Sequence, residues 1–153
     1  MTEPLRMAGF DDLLRSVDGL APGASVPGPW SLPQVLAHCA QSIELSLSGF
    51  PRMRSALFRV TAGRLAARTF VRRGYLHHDL QAAIPGAPAL PAELTREAAV
   101  GRLREAVRQF RAHSGALAPH FAYGNVSRAD YEKLHAMHAA DHLAAVTAPP
   151  PSR

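Results

Sequence analysis

The stretch Y-E-K-L-H-A-M-H-A-A-D-H-L near the end of the chain carries three histidines at spacings that could serve one metal ion. At about 100° per residue, His138 and His142 lie about 40° apart around a helix, and His135 and His142 about 20° apart. Tyr131 and Leu134 mark the same side as core-facing. Buried imidazoles need partners, and two histidines at i, i+4 offer two nitrogens to one ion.

One other helical pattern holds a histidine deep among apolar residues. It is W-S-L-P-Q-V-L-A-H-C-A-Q-S-I-E-L, which carries His38. Joined to His138 and His142, His38 makes a three-histidine set with at least one open position. That is the catalytic rather than the structural arrangement for zinc, and it also suits nickel or iron. A water at the open position can lose a proton near neutral pH and attack a substrate. The plainer alternative is three core histidines satisfied by hydrogen bonds.

The other candidates are weaker. His135 is expected beside the ligands, as a partner or an alternative ligand, and Asp141 as a carboxylate that orients an imidazole. His77 and His78, followed by Asp79, fall in an irregular segment, where they could line a pocket, though solvated side chains are the leading expectation. His113 and His120 flank a turn and read as capping or exposed. Cys39 lies about 100° from His38 on its helix, so the two do not share a face as a nucleophile and its base would.

These residues need helices to hold them. Phe10, Leu13, Leu14 and Val17 have helical spacing within a first helix expected over Leu5 to Asp18. Ser31 with Gln34 makes a capping box for a second helix, running to about Leu47 before Gly49 and Pro51. A third is expected from about Met53 to Arg73, with Gly63 as its weak point. Pro85, Pro88 and Pro91 forbid a helix through the next segment, and so long a loop suggests a site or its cover. Thr95 and Ser127 read as N-caps of the last two helices. No stretch alternates with the period of a strand. The expectation is an all-α, four-helix bundle with one extra helix, in one domain over residues 1–153.

Composition narrows the setting. At 153 residues the chain can bury a core without staples. Its lone cysteine allows no internal disulfide, and it carries no run of about 18 apolar residues. No signal-peptide pattern opens it, so a cytoplasmic protein is expected, with no membrane partner. Sixteen of the 17 basic residues are arginine, and seven lie between Pro51 and Gly74 without an acid. Such a segment could face nucleic acid, acidic lipid or a charged substrate. But Arg64, Arg68 and Arg72 step along one side as on a solvated amphipathic face, the leading expectation, and no nucleic-acid motif accompanies them.

Three segments together resemble the DinB-like (YfiT-like) metalloenzyme superfamily, and within it a family known as domain of unknown function 1569. They are W-S-L-P-Q-V-L-A-H-C-A-Q-S-I-E-L-S-L-S-G-F-P, H-D-L-Q-A-A-I-P-G-A-P and H-F-A-Y-G-N-V-S-R-A-D-Y-E-K-L-H-A-M-H-A-A-D-H-L. The resemblance implies an up-down-down-up four-helix bundle and a divalent metal on His38, His138 and His142. It also implies metal-dependent thiol transfer or hydrolysis on a small molecule, and a homodimer as a common state. Asp141 stands where the family often has histidine, and Ala144-Ala145-Val146 replaces its usual Gln-Phe. A non-catalytic bundle with structural histidines is the competing expectation.

Overall fold

The computed structural model describes residues 3–149. Among them are six α-helices and no strand: α1 (Phe10–Asp18), α2 (Leu32–Ser48), α3 (Ala56–Val60), α4 (Ala62–Arg73), α5 (Arg96–Ala112) and α6 (Arg128–Leu143). The fold is all-helical, and two of its helix boundaries differ from those expected.

The first helix starts at Phe10, not Leu5. The Asp12 carboxylate accepts the Ala8 N–H at 2.7 Å, and Glu132 of α6 accepts the Phe10 N–H at 3.0 Å. These carboxylates satisfy donors that a helix start leaves open, and one of them comes from the far end of the chain.

The expected third helix is two. Thr61 breaks it with φ −115° and ψ −99°. The cause is a close approach: a Cβ on Gly63 would sit 1.8 Å from the Ala122 carbonyl oxygen. Glycine there lets α4 lie against the 120–124 turn, while Gly74, at φ 77°, ends α4 in the left-handed conformation. Arg64, Arg68 and Arg72 are exposed, as a solvated face requires.

Helix α2 begins at its capping box, where Ser31 Oγ accepts the Gln34 N–H and Gln34 Oε1 accepts the Ser31 N–H. It is buried on several sides, with Leu36, Ala37, Ala40 and Ser46 sealed from solvent. It packs along α5, where Ala99, Leu103, Ala106 and Val107 face the core, and also against α6. A two-pronged pair from Arg102 to Glu44, at 2.8 and 2.7 Å, ties α5 to α2. Helix α1 closes one flank of α6, and α4 closes another through Ala67, Leu134 and Met137. The two helices that carry the histidines are thus the most enclosed, and their rings meet inside.

Candidate metal centre

His38, in the middle of α2, and His138 and His142, in the last turns of α6, bring their rings together. His38 Nε2 lies 3.2 Å from His138 Nε2. The ring centroids of these three are separated by 4.9, 5.0 and 4.8 Å. Trp30, just before α2, covers them, with its ring centroid 4.9 Å from that of His38.

A fourth imidazole joins them, and it is not the one expected. His78 Nε2 lies 3.1 Å from His142 Nε2. One ligand nitrogen from each of His38, His78, His138 and His142 falls within 4.8 Å of the other three. His78 sits in the irregular segment after α4 and is drawn in by Asp141. That carboxylate accepts the His78 backbone N–H at 2.9 Å and its Nδ1–H at 2.8 Å. Its second oxygen takes His77 Nδ1–H at 2.8 Å. Asp141 therefore orients an imidazole, but on the loop rather than on α2 or α6. With Nδ1 donating, His78 presents an Nε2 lone pair to the cluster, the tautomer that a metal ligand needs.

His77 is solvated as expected, with its side chain 65% exposed, whereas that of His78 is only 26% exposed. The pair divides between the two expectations, His77 solvated and His78 lining a cavity. The available signal was the acid-bearing H-H-D in a long proline-bearing loop. What could not be seen was the partner, 63 residues away.

His135 is buried one turn below the cluster. Its Nδ1 faces Ser42 Oγ at 3.4 Å, and its Nε2 has no partner. Its ring stacks on Tyr131 at 5.2 Å, and among the described residues it makes no hydrogen bond to any of the four. His120 caps the turn before α6, as expected, accepting the Ala122 and Tyr123 N–H groups on Nδ1 at 3.1 and 3.2 Å. His113 caps the end of α5. Cys39 packs in the core away from His38, and burial pushes its thiol up to about 12.

Electrostatics keep the cluster neutral. Burial lowers His38 to about 4 and His142 to about 3, and neighbouring imidazoles add to both shifts. Burial, then the charges of His38, His142, His78 and His135, holds His138 well below the usual histidine range. His78 is lowered by burial too, against the opposing pull of Asp141. Each ring therefore keeps its lone pair at neutral pH.

The donor set suits a small divalent ion. Four nitrogens about 2.0–2.1 Å from a tetrahedral zinc stand about 3.3–3.4 Å from one another; two of the six pairs here lie at 3.1 and 3.2 Å, and all six within 4.8 Å. The four histidines could hold such an ion. Beside them opens a cavity of about 310 Å³, bordered by His38, His78 and His138 on one side and by Arg54, His120 and Tyr123 on another.

The chain matches, over residues 1–149, the family model described as a protein of unknown function (DUF1569). No curated protein and no solved structure matches.

Proposed function

Because the chain belongs to the DUF1569 family, whose description names no activity, we propose from the geometry of the site that it is a metal-binding protein acting on a small molecule. In this reading His38, His78, His138 and His142 hold one divalent ion, zinc or nickel before iron, since imidazole suits all three. The observation that carries it is the convergence of four neutral imidazole nitrogens beside a cavity. A ligand-sized space next to the donors is what a purely structural metal site does not need.

When bound, the ion supplies Lewis acidity, which makes a nucleophile of a water or thiol. Asp141 fixes the His78 tautomer and ties the loop to α6, Trp30 excludes water from one side, and the cavity admits the substrate. Metal-dependent thiol transfer or hydrolysis fits this division of labour, as does a DinB-like bundle in one domain, by fold-level analogy.

A second reading has its own observation. With His78 included, four protein nitrogens fill a tetrahedral set, as in a structural site. Substitution with cobalt(II) separates the two. A small thiol that changes the cobalt spectrum shows a position open to exchange, and an unchanged spectrum favours the structural site.

The primary test is elemental analysis of protein made without a polyhistidine tag. One equivalent of divalent metal is expected, lost in His138→Ala. Wild-type protein that stays metal-free after exposure to zinc and nickel, with unchanged stability, would overturn the proposal.

A further inference from the structure

The cavity has a second polar wall, which the histidine cluster does not use. Arg54 borders it. The Arg54 backbone N–H donates to the Phe121 carbonyl at 2.9 Å, which sets Arg54 beside the 120–124 turn. Its guanidinium lies 4.8 Å from the Phe58 ring centroid, and among the described residues it takes part in no ion pair. The neighbouring segment from Pro51 to Gly74 contains no acid to neutralise it.

His120 borders the same wall. Both backbone donors of its turn point at Nδ1, so that nitrogen holds the lone pair and the ring proton sits on Nε2. Among the described residues nothing accepts from Nε2. The ring is held still between Tyr123, at 4.2 Å between centroids, and Phe50, at 5.0 Å.

Helix α6 measures the distance between the two walls. The His120 ring packs against Tyr131, with centroids 6.2 Å apart. Tyr131 precedes His138 by seven residues, about 10 Å along a helix. Leu76, Ile84 and Leu134 line the space together with Ser42 and His135. Asp79, the one carboxylate on the lining, is exposed and accepts the Gln81 N–H of its own turn at 3.0 Å.

We propose that Arg54 and His120 bind the carboxylate of a small elongated substrate whose other end reaches the histidine cluster. One guanidinium charge and one neutral N–H match a carboxylate monoanion better than a dianionic phosphate. The far end of the substrate rests on the metal reading above; the carboxylate anchor does not.

Calorimetry with octanoate and its neutral isostere octanamide tests the anchor, using zinc-treated wild type and the variants Arg54→Gln, His120→Gln and His138→Ala. Octanoate should bind about tenfold or more tighter than octanamide, as loss of a charge-assisted hydrogen bond implies. That preference should vanish in Arg54→Gln, an exposed position where folding is not at risk. It should shrink in His120→Gln and survive in His138→Ala. Equal affinities in wild type would overturn the anchor. So would a preference that persists in Arg54→Gln and disappears in His138→Ala, which would place the carboxylate on the metal. Protein that takes up no zinc yet keeps an Arg54-dependent preference would sink the metal reading alone.

Discussion

The two halves of α6 bury histidines in opposite ways. In the lower half, His135 lies among aromatic rings: Tyr131 at 5.2 Å, Phe110 at 5.9 Å and Phe10 at 6.2 Å between centroids. In the upper half, His138 and His142 face imidazoles from α2 and from the loop after α4. Burial holds His135 and His142 alike at about 3. A depressed histidine therefore does not by itself mark a metal site. Convergence of nitrogens that could hold an ion is the difference, and of the two halves only the upper has it. The lower half works as core, and its imidazole is a flat, neutral ring in an aromatic stack.

Three experiments would break or sharpen that division. The largest effect belongs to the lower half. Phe110→Ala removes a ring that packs edge-on against both Phe10 and His135, and should cost about 3–5 kcal/mol of stability. The protein that still folds should keep its metal stoichiometry. Loss of metal from the folded fraction would show that the halves are one unit.

Acid comes next. In the unfolded chain His120 and His135 titrate near 6.5, and in the folded protein both are held to about 3 by burial. From pH 6.5 downwards the unfolded state binds more protons, so stability falls as the pH drops towards 3. Above pH 6.5 neither ring contributes. The loss should be on the order of 3 kcal/mol for each ring between pH 6.5 and pH 4, read by denaturant melts at pH 7 and pH 4. His135→Asn should flatten the slope, and an unchanged slope would mean the ring is not sealed.

The smallest effect is the most specific to the upper half. Asp141→Asn weakens the hold on His78 and should lower zinc affinity about 10–100-fold, with melting little changed by comparison with Phe110→Ala. Wild-type affinity in this variant would show that His78 is not a ligand.

The helices were legible where the signal is local. Ser31, Thr95 and Ser127 each cap the helix that follows, because a capping side chain acts within three residues. The approach of His38 to His138 was legible as two apolar faces that each hold an imidazole. The break at Thr61 was not, because it answers to the Ala122 carbonyl pressing on Gly63. Nor was the start of α1 at Phe10, which Glu132 helps to set. His78 was hidden for the same reason. A loop has no period, and its place is fixed by one carboxylate on another element.

The last turn of α6 has a consequence in the electric field along the cavity. His142 is the penultimate residue of α6, at the negative end of the helix dipole, where the His142 and Leu143 carbonyls accept the Ala145 and Val146 N–H groups at 3.3 and 3.1 Å. Asp141 and Asp79 add to the negative pole, while Arg54 and the acid-free arginine segment form the positive one. A divalent ion on the four histidines would reverse that pole, so both ends of the loaded cavity would draw an anionic molecule in, whereas the empty site would turn its anionic end towards Arg54 alone.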